Sequence, residues 1–327
     1  MLKKYLWTVS LACIVAAVVY AGGSTEEPEN SDIEYPLEIV ATTGMVGDIV
    51  TSVVGDRGVV SVLMDDEVDP HLFRPTRSDI ARMQQADMIF YNGLNLEGQM
   101  GDTLVQLART RPVFAVTELV EESVLLNDEA YDNAFDPHLW MDVSLWMQAV
   151  EVVVQALSDF DPSEAEFYRA NGGGYRSELE ELHAYARETI GSIPDDRRIL
   201  ITAHDAFGYL GAAYDLEVIG VQGLTTESEA GLGDINNLVN TIVENRITAI
   251  FAETTVADRA LMAVIEGAAS RGHDVRVGGE LFSDAMGPSD TYEGTYIGMI
   301  DHNVTTIARA LGGSPPRGGL NGRLSGD

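Results

Sequence analysis

Three of the six histidines in this chain stand where a side chain could be held for chemistry. His71 and His138 each close an Asp-Pro-His tripeptide, at 69–71 and 136–138, and the second continues Leu139-Trp140-Met141-Asp142. Proline fixes its own φ near −65° and keeps the preceding residue out of the helical region, so both imidazoles ride on stiff backbone. His204 directly follows the strand-like run Ile199-Leu200-Ile201-Thr202-Ala203, and Asp284 lies in Glu280-Leu281-Phe282-Ser283-Asp284-Ala285-Met286-Gly287, again a loop after a strand. Taken alone, any one of these histidines reads equally well as a hydrogen-bonded loop residue. Together, three neutral imidazoles and a carboxylate make a four-donor nitrogen and oxygen set suited to zinc or a related divalent ion. His183 beside Glu180 and Glu181, His273 after Arg271-Gly272, and His302 in the last helical stretch are read as solvated or packing residues.

The elements that must position these donors alternate. Residues 37–43 read as a buried strand, 44–54 as a helix, 59–64 as a strand ending just before the first Asp-Pro-His, 76–86 as a helix and 88–91 as a strand closed by Asn92-Gly93. A helix at 101–110, a strand at 113–116 and an acidic loop over 118–135 lead to the second Asp-Pro-His. After a helix at 143–157, Asp161-Pro162 supplies an N-cap and a first-turn proline for a long helix to about residue 190. Asn171-Gly172-Gly173-Gly174 inside it predicts a kink or local break, since each glycine costs roughly 1 kcal/mol relative to alanine. Beyond it come strands at 199–202, 217–221, 249–252 and 275–277, with helices at 206–214, 232–245, 257–271 and 294–311. Strand and helix in alternation imply an α/β fold: two lobes, each a mostly parallel sheet flanked by helices, joined by the long helix. In open sheets of this kind ligands bind beyond the carboxyl ends of the strands, where His71, His138, His204 and Asp284 all fall.

The expected organisation is a signal peptide at 1–21, a flexible tether at 22–36, a first lobe at 37–157, the linking helix at 158–190, a second lobe at 191–312 and a disordered Gly/Pro/Arg-rich tail at 313–327. Lys3 and Lys4 precede an apolar run to Tyr20, and Val19-Tyr20-Ala21 offers a cleavage site. Lipid attachment at Cys13 is the lesser alternative, because apolar residues continue past it; an uncleaved anchor is a further one. The protein is therefore expected outside the cytoplasm, periplasmic or on the outer face of the membrane.

Composition narrows the chemistry. With 45% hydrophobic and 22% charged residues the chain is globular, and its net charge of −32 deepens by two when Lys3 and Lys4 leave with the signal. Such a surface repels nucleic acid and draws cations. The single cysteine, Cys13, lies in the leader, so a metal site in the mature chain must use nitrogen and oxygen.

At this point the residues match a known pattern. The chain resembles the cluster A-I solute-binding proteins, which deliver zinc, manganese or iron to metal-importing ABC transporters. The resemblance spans nearly the whole mature sequence: Asp69-Pro70-His71-Leu72-Phe73 with Pro75-Thr76, Asp87 through Phe90-Tyr91-Asn92-Gly93-Leu94-Asn95-Leu96-Glu97, and Asp136 to Asp142. It continues in Thr202-Ala203-His204-Asp205-Ala206-Phe207-Gly208-Tyr209, Thr225-Thr226-Glu227-Ser228-Glu229-Ala230, Phe251-Ala252-Glu253-Thr254-Thr255-Val256 and the Asp284 segment. It implies a monomeric, non-catalytic capture protein that holds one Zn²⁺ or Mn²⁺ per chain between the lobes and passes it to a permease. His71 and His138 would come from the first lobe, His204 and Asp284 from the second. Family members built for manganese often carry glutamate at the position of His204, and nitrogen-rich ligation favours zinc. Zinc-dedicated relatives, however, usually have a histidine-rich loop before the second histidine, whereas residues 121–132 contain no histidine but hold Glu121, Glu122, Asp128, Glu129 and Asp132. A carrier serving zinc and manganese, with iron as a third cargo, fits both departures.

A ligand imidazole normally donates its other N–H to a carboxylate or carbonyl, which makes Glu253, Glu227, Asp142 and Asp205 candidate supports. Two other functions compete. A zinc hydrolase would leave water in the fourth position, which Asp284 would occupy, and no His-Glu-x-x-His is present. A metal-chelate binder would need an open, aromatic-rich cleft. Surface adhesion, a label attached to some relatives, has no specific support in the sequence.

Overall fold

The strand β1 (Leu37–Ala41) is apolar on both faces because it lies inside a sheet, with Leu37, Ile39, Val40 and Ala41 all buried. A computed structural model describes residues 33–127 and 134–324. The expected signal peptide, Cys13, residues 22–32 of the tether and residues 128–133 of the acidic loop lie outside the described residues. No helix among the described residues is long and apolar enough to cross a membrane.

From β1 the chain runs through α1 (Gly44–Val54), β2 (Gly58–Val62), α2 (Arg77–Gln85), β3 (Met88–Tyr91), α3 (Gly101–Leu107) and β4 (Val113–Ala115). These strands form one parallel sheet in the order β2-β1-β3-β4. The chain leaves β1 in one direction to build β2 and crosses back to build β3 on the other side. That reversal opens a crevice at the carboxyl ends of β1 and β3. Thr43 caps α1 by accepting from the Val46 amide, and Thr76 with Asp79 forms a capping box on α2.

Two helices follow, α4 (Val143–Phe160) and α5 (Ala165–Gly191), and then β5 (Ile199–Thr202), α6 (Gly208–Tyr214), β6 (Glu217–Gly220), α7 (Leu232–Asn245), β7 (Ala249–Glu253), α8 (Arg259–Ser270), β8 (Arg276–Leu281) and α9 (Tyr296–Ala310). β5 pairs with β6 and β7 with β8, both parallel, and β5 runs beside β7. Each half buries its own apolar cluster, Val40, Met83, Ile89 and Leu104 in the first and Ile201, Val239, Ile250 and Val264 in the second. Each such side chain stabilises the fold by about 1.5–3 kcal/mol. The long helix α5 touches α1 and α4 on one side and α6 and α9 on the other, so it is a spine for both halves.

The structure corrects four details of the expectation. First, α5 runs unbroken through Asn171-Gly172-Gly173-Gly174. A Cβ on Gly172 would come within 2.4 Å of the Val154 Cγ2, so this glycine lets α5 lie close against α4. Packing outweighs the propensity cost. Gly172→Ala is expected to destabilise the protein by about 1–3 kcal/mol through overpacking, whereas Gly173→Ala, which meets nothing within 4 Å, is expected to gain up to about 1 kcal/mol. Urea unfolding of the two variants checks both signs.

Second, Asp161 does not cap α5. A 3₁₀ turn, Pro162–Glu164, intervenes, and the Asp161 carboxylate accepts from the hydroxyls of Tyr35, Ser163 and Tyr168 instead. Tyr35 thereby ties down the end of the expected tether. Third, β8 extends to Leu281 rather than stopping at Val277, because Gly278 and Gly279 let α9 press on the strand; a Cβ on Gly279 would meet the Thr306 methyl at 2.4 Å.

Fourth, the expected disordered tail is anchored over 313–324, although many of its residues stay exposed. The Leu320 amide donates to both carboxylate oxygens of the buried Asp301 at 2.9 Å, and the Arg323 guanidinium sits 4.3 Å from the Tyr292 ring centre. A buried carboxylate on α9 needs donors, and the glycine-rich tail supplies one that composition alone does not reveal.

Candidate metal centre

Both Asp-Pro-His segments are built the same way. Asp69 Oδ1 accepts the His71 backbone N–H at 2.8 Å, and Asp136 Oδ1 accepts that of His138 at 2.9 Å. The aspartate thus closes a small turn across the proline and fixes where the histidine leaves the backbone. In the second copy Asp136 Oδ1 also lies 2.7 Å from His138 Nδ1, which leaves Nε2 pointing into the cleft. The stretch after β3 buttresses this segment: Asn92 Nδ2 donates to the Pro137 carbonyl at 3.1 Å. The buried Glu97 in turn accepts from the Asn92 and Gly93 amides and the Thr42 hydroxyl.

On the opposite wall His204 follows β5 and is held by Glu253, the last residue of β7. One carboxylate oxygen takes the His204 amide at 2.8 Å and the other lies 2.5 Å from Nδ1. Asp284 follows β8 in a loop pinned by Asn303 of α9, which bonds the Phe282 amide and carbonyl at 2.9 and 2.6 Å. Trp140, next to the second Asp-Pro-His, donates its indole N–H to the Ser283 carbonyl at 2.9 Å, and so carries the first wall onto the second.

These supports bring His71, His138, His204 and Asp284 together, with one donor atom from each inside 4.8 Å. Asp284 Oδ1 is 3.3 Å from His138 Nε2, and Asp284 Oδ2 is 3.2 Å from His204 Nε2 and 3.8 Å from His71 Nε2. His71 and His138 meet Nε2 to Nε2 at 3.2 Å. Donors about 2.1 Å from a tetrahedral zinc ion stand roughly 3.4 Å apart, so the set has the spacing a four-coordinate ion needs.

Relative exposure is 5% for His71, 0% for His138 and His204, and 2% for Asp284. Both Asp284 carboxylate oxygens and His204 Nε2 are buried and make no aligned hydrogen bond; what faces them at 3.2–3.3 Å is one another and His138 Nε2. Orphaned polar atoms of this kind cost about 1–3 kcal/mol each, and a cation bound between them would satisfy all three. The donor set fits such an ion.

Charge is arranged to match. Burial pushes His71 down to about 4. Burial acts on His138 in the same sense, but the neighbouring charge of Asp136, with Asp284 behind it, drives it up to about 9. His204 is likewise raised well above the ordinary imidazole range despite its burial, by Glu253 and then Asp284. Burial opposes ionisation of Asp284, yet the imidazoles of His204 and His138 hold it well below the usual carboxylate range.

Of the four candidate supports, Glu253 reaches a donor. Glu227 is exposed and accepts from Gln99 Nε2 at 2.6 Å instead of from an imidazole. Asp142 is the N-cap of α4, accepting from the Ser144 and Leu145 amides. Asp205 adjoins His204, and its own amide donates to the Gly223 carbonyl at 3.3 Å. Asp136 and Asp69 were missed as supports, although their signal is plain: each stands two residues before its histidine. The remaining histidines pack elsewhere, His183 on the Tyr214 hydroxyl, His273 on the Ile247 carbonyl and His302 on the Glu280 carbonyl.

The chain is similar to known metal-binding proteins. Residues 39–310 match the family model described as zinc-uptake complex component A periplasmic, ZnuA. The chain is 38% identical over 302 residues to the manganese-binding lipoprotein MntA of Bacillus subtilis, covering 91% of this chain and 98% of that one. It is 41% identical over 273 residues to the zinc-binding protein TroA of Treponema pallidum, covering 84% of this chain and 88% of the relative. The solved structure of that periplasmic zinc-binding protein superposes with a TM-score of 0.81 over 84% of this chain and 98% of the other.

Proposed function

The chain belongs to the periplasmic zinc-uptake component A family, the metal-binding substrate-binding components of ABC transporters, and on that premise we propose that it captures one Zn²⁺ or Mn²⁺ on His71, His138, His204 and Asp284 and hands the ion to a membrane permease. The observation that carries the ligand assignment is the orphaned state of Asp284 Oδ1, Asp284 Oδ2 and His204 Nε2 in a buried cluster. A fully packed protein has little reason to leave three such atoms without partners unless a cation completes them. Burial of all four donors favours a bare ion over a chelate as cargo.

The cargo shares relatives that carry manganese or zinc in their names. Three nitrogens to one oxygen favour zinc on ligand preference. The protein works outside the cytoplasm, exported by the signal peptide expected at residues 1–21.

Calorimetric titration of metal-stripped protein with Zn²⁺ and then Mn²⁺ tests the proposal. One ion per chain is expected, with zinc the tighter. Glu253→Gln keeps a hydrogen-bond partner on His204 but removes its charge, and should weaken zinc binding by about 10–100-fold, the usual effect of losing a ligand's supporting carboxylate. Metal binding that is absent, or unchanged in His138→Ala, would overturn the ligand assignment.

A further inference from the structure

The two walls of the proposed metal site meet at Trp140. It stands two residues after His138, is fully buried, and meets the His138 imidazole edge-on, with ring centres 5.2 Å apart and planes at 66°. Its indole N–H crosses to the other wall and donates to the Ser283 carbonyl at 2.9 Å, one residue before Asp284. Its own carbonyl accepts the Tyr296 hydroxyl of α9 at 2.7 Å. One residue therefore packs on a ligand of the first half and holds the neighbour of a ligand of the second.

The loop that carries Asp284 is also tied to its own half. Asn303 pins Phe282 to α9, and the Ser283 hydroxyl lies 3.1 Å from that of Thr255. Both ties stay inside the second half, so neither fixes the loop relative to His138. The indole bond does. It sits in a buried aromatic stack, with Trp146 packed on Trp140 and on Tyr296 at 6.5 and 5.9 Å between ring centres. A hydrogen bond shut away from water is held by the cost of leaving both partners unpaired. The bridge therefore bears directly on the 3.3 Å between Asp284 Oδ1 and His138 Nε2.

We propose that Trp140 is a positioning residue that sets the metal selectivity of the site: by holding Asp284 at a fixed distance from His138 it keeps the cage at the size of a small four-coordinate ion, and so favours zinc over manganese. Zinc takes four donors at about 2.0–2.2 Å. Manganese is larger and prefers carboxylate and water oxygens in six-fold coordination. With the bridge cut, the Asp284 loop is free to draw back from His138, which stretches the bonds zinc needs and makes room for the water that manganese retains. Trp140 acts without touching the ion. The proposal rests on the ligand assignment above and names the residue that tunes it.

The test is competition of metal-stripped protein against a chelator of known affinity, run in parallel with Zn²⁺ and Mn²⁺. Trp140→Phe keeps an aromatic ring beside His138 and removes the indole donor. Zinc binding is expected to weaken about tenfold, as befits one lost buried hydrogen bond, while manganese binding stays within about twofold. The zinc-to-manganese affinity ratio therefore falls about tenfold, whereas a merely structural loss would weaken both ions alike and leave the ratio where it was. Ser283→Ala, which keeps the carbonyl that Trp140 uses, should hold the ratio within about twofold. Should Trp140→Phe fail to fold, Tyr296→Phe takes its place: it frees the Trp140 carbonyl and should lower the ratio about threefold. An unchanged ratio in the variant that folds, or an equal fall in Ser283→Ala, overturns the selectivity role alone. Natural protein that binds no zinc overturns the ligand assignment and the selectivity role with it.

Discussion

Exchanging Asp284 for asparagine is expected to lower zinc affinity by at least about a hundredfold while leaving the protein folded. Four-ligand zinc sites bind with roughly 10–16 kcal/mol, so one ligand is worth about 3 kcal/mol, or two decades of affinity. Asp284 should stand at or above that average because it is the sole anion among the four donors. Asparagine keeps the shape of the side chain and offers one neutral oxygen. The charge also faces His138 Nε2 at 3.3 Å and His204 Nε2 at 3.2 Å in the metal-free cleft, so the fold is checked alongside the affinity. Equilibrium competition against a chelator of known affinity measures the loss, and circular dichroism confirms the fold. An affinity within a fewfold of the natural protein would show that Asp284 does not ligate.

Acidification should be nearly as damaging. In the metal-free cleft His138 is pushed up to about 9 and His204 well above the ordinary range, whereas His71 is held down to about 4. At pH 7 the first two imidazoles therefore carry protons and the third does not. A metal ion takes only the neutral imidazole, so binding expels two protons and the complex holds fewer protons than the free protein. By linkage, affinity rises with pH wherever the free state holds the extra protons, by about a hundredfold per pH unit for two of them. The slope flattens as pH climbs past 9, where His138 is already neutral, and steepens below about 4, where His71 also charges. Calorimetry at pH 7 in buffers of different ionisation heat counts the protons directly. A count near zero would mean that His138 and His204 are already neutral in the metal-free site. The same exchange suits a carrier, since an ion cannot be released inside the cleft without protons or water entering to replace it.

Both predictions rest on residues that were legible before any fold was known. The two Asp-Pro-His tripeptides announce rigid mounts through proline, and His204 and Asp284 stand at strand ends by hydrophobic patterning alone. Alternation of apolar runs located all eight strands of the described residues, because buried parallel strands are short, apolar and bounded by loop residues. Where local signals failed, packing had overruled them. Gly172 reads as a helix breaker until Val154 is seen against it, and Gly278 and Gly279 read as a strand end until α9 is seen lying on them. The glycine-rich tail reads as disorder until Asp301 is found buried and in need of a donor. Each is a cost visible in one segment and a compensation supplied by another.

Sequence by itself determined the chemistry: which donors are available, that the single cysteine, Cys13, stands far from all of them in the chain, and that the donors fall at the carboxyl ends of strands. Tertiary structure decided which of many acids serve those donors. With 52 acidic residues, Glu227, Asp142 and Asp205 were as eligible as Glu253, and only folding gave Glu253 to His204, Asp136 to His138 and Asp69 to Thr226. A carboxylate's role is set by what lies within about 3 Å of its oxygens, and between Thr226 and Asp69, or Glu253 and His204, that distance is closed by the fold and not by the chain.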